Sequence, residues 1–185
     1  IFSFFINYMT SQTPPIPHSW TTGFLKDWFE TGQNGAHILS DKGAANLASL
    51  GFVCFLIGRF TGAGILKKFA AHKVLGIYGL LNVLVCFLVF LKLGWLSVAC
   101  VFLSYFFMSI MFPTIFALGI EGLGPLRRAG ASLIVMAIIG GAGLTALMGL
   151  VSDLAGITNA MLVPVVSFAV VAAFAWWAGR RMETN

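Results

Sequence analysis

Five apolar runs, at about 44–60, 74–91, 95–118, 130–151 and 158–178, constrain this chain more than any other feature. A helix rises ~1.5 Å per residue, so about 20 apolar residues cross the ~30 Å hydrocarbon core of a bilayer. Inside that core only helices and closed barrels satisfy every backbone polar group, and runs of this length predict transmembrane helices. The composition agrees, because 59% of residues are hydrophobic and only 9% charged, against an apolar share of roughly 45–50% in soluble domains. An all-α membrane protein is expected.

A shorter apolar stretch, Ile1–Met9, reads as the end of a sixth helix whose beginning is missing. It has neither the basic flank nor the small-residue cleavage site of a signal peptide. Residues 10–43 carry Pro14, Pro15 and Pro17 and read as a loop on the outer, periplasmic side, in which FLKDWFETG forms a short interfacial turn. Residues 179–185 form a tail. With successive loops on alternating sides, Arg59, Lys67, Lys68, Lys73, Arg127, Arg128, Arg180 and Arg181 gather on one side, against Lys26, Lys42 and Lys92 on the other. Cytoplasmic loops are the ones enriched in Lys and Arg, so the C-terminus is expected in the cytoplasm of a multi-pass inner or plasma-membrane protein. Basic residues placed at span ends mark topology and contact with the lipid bilayer, not nucleic acid.

The runs also exclude chemistry. Cys54, Cys86 and Cys100 lie inside apolar runs without metal-ligand spacing, and read as small apolar filler. No HExxH, Gly-x-Ser-x-Gly or paired intramembrane aspartates appear, so no catalytic site or metal is expected. His18 and His37 fall in the outer loop, and His72 in a basic turn. None of the five expected spans holds a charged residue in its interior, and intramembrane charged groups are the usual marks of proton or ion pathways.

The fourth span places Ser97, Ser104, Tyr105, Met108 and Phe112 on one face at 100° per residue. That face either hydrogen-bonds a neighbouring helix or lines a cavity. Pro113 removes a backbone donor deep in the span and predicts a break near Met108 or Ser109, serving packing or a hinge. In the fifth span, small residues recur at Ala137, Gly141, Thr145 and Gly149, the spacing that lets helices approach closely. Its second face, with Ser132, Met136, Gly140 and Gly143, borders either a cavity or a neighbouring helix. Asn82 is expected to act as interhelical glue. The stretch LIGRFTGAGILKKF ends the second span: Gly58, Gly62 and Gly64 are expected to form a tight turn, with Arg59, Lys67 and Lys68 in water.

Taken in order, CFLIGRFTG (54–62), HKVLGIYGL (72–80), MSIMFPTIFALGIEGLG (108–124), ASLIVMAIIGG (131–141) and LMGLVSDLAG (147–156) resemble the C-terminal six helices of fucose permeases, the fucose/proton symporters of the major facilitator superfamily. The resemblance covers nearly the whole chain except the outer loop. It implies a twelve-helix transporter, here represented by its C-terminal half with a truncated first helix, in which the sugar binds between two six-helix halves. It implies a proton as coupling ion, held by carboxylates of an N-terminal half absent from this sequence, and no other cofactor. It also implies an aromatic cavity wall at Phe2, Phe55 and Phe112, where the family has tryptophan in place of Phe2 and tyrosine in place of Phe112. Tyr105 and Met136 are further wall candidates. Gly58, Arg59, Gly62, Lys67 and Lys68 match the cytoplasmic loop that latches the halves, and Pro113 is the candidate hinge. L-fucose or a related hexose, glucose and galactose included, is the implied substrate. A non-transporting membrane subunit is the remaining alternative.

Overall fold

The computed structural model describes residues 29–31, 37–91 and 93–183. Phe2, with the rest of Ile1–Met9, lies outside them, as do Lys26 and Lys92. A small antiparallel hairpin comes first: β1 (Phe29–Thr31) pairs with β2 (His37–Leu39), Glu30 opposite Ile38. It occupies part of the segment read as loop and interfacial turn. Helices come next: α1 (Asp41–Leu66), α2 (Ala71–Phe90), α3 (Trp95–Met108), α4 (Met111–Ile120), α5 (Arg127–Met136), α6 (Ile139–Ala155), the short α7 (Ile157–Ala160) and α8 (Leu162–Glu183). Among the described residues five stretches are long and apolar enough to cross a membrane, three of them, Trp95–Ile120, Gly124–Ala155 and Ile157–Arg181, assembled from more than one helix.

Local chemistry sets the ends. Ser40 caps α1, its Oγ accepting from Gly43 N at 3.1 Å, as an N-terminal serine does for the orphan amides of a first turn. Ser97 Oγ accepts from Leu93 N at 2.9 Å and donates to Leu88 O at 3.5 Å, stitching the turn between α2 and α3. Gly156, at φ 89°, ends α6 in a conformation that only glycine adopts without strain.

The expected turn at Gly58–Gly64 is not there. Helix α1 runs on to Leu66, and Gly58, Arg59 and Gly62 lie inside it, leaving Lys67 and Lys68 at its end. Glycine signals either a turn or a close approach of backbones, and here it is the approach. A Cβ at Gly58 would lie 2.7 Å from Ser109 Oγ and 3.0 Å from Phe106 Cα, and one at Gly62 would meet Ile110. Gly58-x-x-x-Gly62 is thus the small-residue face on which the fourth span rests. With the helix extended, Arg59 is a charged residue within a span, on an exposed face. Gly64 has nothing within 4 Å.

Two apolar clusters fill the bundle. One gathers Val85, Val89, Val98, Val101, Tyr105, Met148 and Met161. The other gathers Val74, Leu75, Tyr78, Ile110, Met111 and Phe168. Helix α2 stands between α3 and α8, meeting α8 through Gly76 and Gly79, whose added Cβ atoms would lie 3.6 Å from Ala175 Cβ and 3.2 Å from Ala172 Cβ. Burial is uneven: half of the apolar window in Trp95–Ile120 is interior, but only 6% of that in Gly124–Ala155. Among the described residues nothing lies within 4 Å of a Cβ placed at Gly140, Gly141 or Gly143.

The two glycine environments give a direct test. Gly58→Ala is expected to destabilise by about 1–3 kcal/mol through overpacking. Gly64→Ala should be neutral or stabilising by up to about 1 kcal/mol through helix propensity. Thermal melts of the purified full-length protein in detergent check this, and equal melting points for the two variants would contradict the packed-glycine assignment.

Candidate functional site

The interruption of the fourth span is built from a proline and the hydroxyls around it. Pro113 has no N–H to give the carbonyl of Ser109, four residues earlier, so the α-helical ladder cannot continue through that position. Helix α3 ends at Met108 and α4 begins at Met111. Ser109 N turns back to Phe106 O at 3.3 Å, and Ser109 Oγ donates to the same carbonyl at 2.7 Å. Ile110 O accepts from both Thr114 N at 3.1 Å and Thr114 Oγ1 at 2.7 Å. Side chains thus supply hydrogen bonds in place of regular helix, the form of irregular backbone that membrane interiors tolerate when protein covers it.

Beyond the joint, α4 presents two faces. Met111 is buried and its Sδ accepts from Asn82 Nδ2 at 3.9 Å, so Asn82, itself fully buried, ties α2 to the start of α4. Asn82 Oδ1 has no hydrogen-bond partner among the described residues. Phe112 faces out, 51% exposed, its ring centroid 6.4 Å from that of Phe116 one turn later. Phe116 is not among the wall positions expected from the sequence, although its i, i+4 spacing from Phe112 puts both on one face.

The predicted stripe of the fourth span does not hold together. Ser97, Ser104 and Tyr105 are buried, while Phe112 is not. Tyr105 is 1% exposed, and its ring atoms lie 3.2–3.3 Å from where a Gly51 Cβ would stand, with Phe52 edge-on at 6.3 Å between centroids. It is a core residue between α1 and α3, not an exposed wall residue. The projection takes an unbroken 100° per residue, and the lost turn at Ser109–Ile110 changes the phase of everything beyond it. Phe55 is half-buried against the cluster around Tyr105. Met136 is exposed at the end of α5, beside a second interruption, where Gly140 N and Gly141 N bond to carbonyls three residues back, Ala137 O and Ile138 O, each at 2.9 Å. Ser132 and Thr145 hydroxyls fold onto their own helices, donating to Arg128 O and Gly141 O. Cys86 and Cys100 are buried within α2 and α3, and Cys54 is half-buried in α1.

A bundle of membrane-length helices, with Phe112 and Met136 exposed beside the interruptions at Ser109–Ile110 and Ala137–Ile138, defines a polytopic helical membrane protein. No family profile matches the chain. Among characterised proteins it is 47% identical over 133 residues to the L-fucose-proton symporter of Escherichia coli (strain K12), a match over 71% of this chain and 30% of the symporter. It is 30% identical over 154 residues to the glucose/galactose transporter of Brucella abortus, a match over 83% of this chain and 36% of the transporter. The crystal structure of the E. coli major facilitator superfamily transporter FucP in the outward conformation superimposes with a TM-score of 0.80 at 37% identity, over 96% of this chain and 37% of that one. The chain belongs to the fucose permease family of the major facilitator superfamily. It spans about a third of the length of these relatives.

Tyr105 provides a test that separates core from wall. Tyr105→Ala should destabilise by roughly 3–5 kcal/mol, as truncation of a buried ring does, whereas Tyr105→Phe should leave the KM for transported sugar within about twofold. A KM raised tenfold or more by Tyr105→Phe, with an unchanged melting point, would place the hydroxyl at the substrate.

Proposed function

We propose that this chain forms the C-terminal six-helix half of a secondary sugar transporter that moves L-fucose, or a related hexose, together with a proton by alternating access. The observation that carries the reading is the correspondence of nearly the whole chain, at 37% identity and a TM-score of 0.80, with about a third of a fucose:proton symporter. The geometry supports it. A sugar presents C–H faces that stack on rings and hydroxyls that need polar partners. Phe112, exposed on α4, offers such a ring, and Phe55, Phe2 and the exposed Met136 are the further wall positions in this proposal. Polar partners and the proton-binding carboxylates belong, in this proposal, to an N-terminal half. The sparse burial of Gly124–Ala155 and the open glycines of α6 fit a helix that packs against that half.

The cations then mark the cytoplasmic side of an inner membrane, with the C-terminus there. Pro113 and the joint it creates serve as the hinge of the fourth span, and Arg59, Lys67 and Lys68 latch the halves at the cytoplasmic end. The glucose/galactose transporter of B. abortus favours a second reading, transport of those hexoses. Fucose permeases place tyrosine at the Phe112 position, and phenylalanine there removes one hydroxyl from the wall.

Uptake of labelled L-fucose, glucose and galactose into proteoliposomes of the full-length protein tests the proposal. Fucose uptake accelerated at least severalfold by an acidic exterior is expected. Uptake confined to glucose and galactose would establish the second reading, and no sugar uptake would leave a non-transporting subunit. Arg59→Ala is expected to lower the transport rate with little change in sugar affinity, and an unchanged rate would remove the latch assignment.

A further inference from the structure

The outer flank of the α2–α8 pair carries a groove that sugar transport does not use. Small residues bring these helices close. Beyond the Gly76 and Gly79 contacts with α8, a Cβ at Gly179 would meet the His72 ring, 2.8 Å from its Cδ2. Alongside this seam runs a groove of about 830 Å³, within the range of roughly 300–1,000 Å³ that holds small organic ligands. Its shaft is apolar, with Ile77 and Leu80 from α2, 57% and 64% exposed, facing Ala169 and Ala173 from α8. One end carries Lys73 and Arg180, the guanidinium of Arg180 lying 3.7 Å above the Trp176 ring. No described residue lining the groove is acidic.

We infer that this groove is a binding site for an anionic glycerophospholipid, its phosphate held by Lys73 and Arg180 and an acyl chain lying along Ile77 and Leu80. The charge pattern selects this occupant. A tryptophan beside a cation at the end of a span belongs at headgroup depth, and basic clusters at helix ends attract anionic headgroups. The apolar shaft continuing from that end gives an acyl chain a place that a free phosphate has no use for. A second copy of this chain, related by an axis along the membrane normal, would instead set Lys73 and Arg180 against their own like charges. The inference rests on the proposed orientation only for the leaflet, which is the cytoplasmic one, and its readout does not require transport.

The test is lipid retention by the full-length protein reconstituted in phosphatidylcholine with phosphatidylglycerol, extracted gently and weighed by native mass spectrometry. Phosphatidylglycerol should remain bound in preference to phosphatidylcholine. Lys73→Gln combined with Arg180→Gln should weaken retention by about tenfold or more. The charge-conserving pair Lys73→Arg and Arg180→Lys should restore it, and Ala169→Phe, which fills the shaft with both cations intact, should also weaken it. Unchanged retention in the glutamine pair would overturn the site. So would an equal loss from Lys67→Gln with Lys68→Gln, displacement by inorganic phosphate alone, or a dimer linked through Ile77→Cys whose yield ignores phosphatidylglycerol.

Discussion

The rest of this structure depends on one backbone contact, the seating of the interrupted fourth span on Gly58 and Gly62 of α1. Pro113 makes a regular helix impossible at Ser109, and exposed irregular backbone is among the costliest features inside a bilayer. Two devices contain it: the hydroxyls of Ser109 and Thr114 bond to the Phe106 and Ile110 carbonyls, and two glycines without side chains let α1 cover the joint. From that joint α4 departs with Met111 inward against Asn82 and Phe112 outward. The orientation of the exposed aromatic face is therefore a consequence of how a proline break is packed.

The same contact separates what is legible in the sequence from what is not. Membrane spans are legible because lipid imposes a length and a polarity that few residues can disguise. The interruption near Ser109 is legible because proline removes a donor whatever its surroundings. Gly58 and Gly62 read wrongly as a turn because glycine carries no local signal that distinguishes a turn from a close approach, although their four-residue spacing matches the small-residue rule applied to the fifth span. The stripe of Ser97, Ser104 and Tyr105 is legible because all three lie on one unbroken helix, and Phe112 departs from it because a helical projection cannot cross a break whose geometry is unknown. In the fifth span the spacing is present without the contact, since nothing among the described residues lies within 4 Å of a Cβ at Gly141. The β1–β2 hairpin lies in a polar segment whose short alternation gives too little pattern to separate strand from loop.

These placements give the family assignment a physical content. The described helices present two sorts of apolar surface. Helix α2 packs against α3 on one side and against α8 on the other, with Leu75, Tyr78 and Phe168 in the second contact, and the outer flank of the α2–α8 pair suits lipid. Among the described residues, little of the apolar surface of α1, α5 and α6 is buried. Phe112 is exposed on α4, and the interruption beside Met136 lies between α5 and α6; a moving interface between halves is proposed there, whereas the basic groove lies on α2 and α8. Transport and lipid anchorage are thus proposed for different surfaces of one bundle.

The central claim is that Phe112 faces a watery cavity and not the acyl chains. A spin label at position 112, in the full-length protein with Cys54, Cys86 and Cys100 replaced, measures this directly in liposomes through its collisions with a water-soluble nickel complex and with lipid-soluble oxygen. Greater access to nickel than to oxygen, reduced when the transported sugar is added, is the expected result. Greater access to oxygen, unaltered by any hexose, would contradict the account.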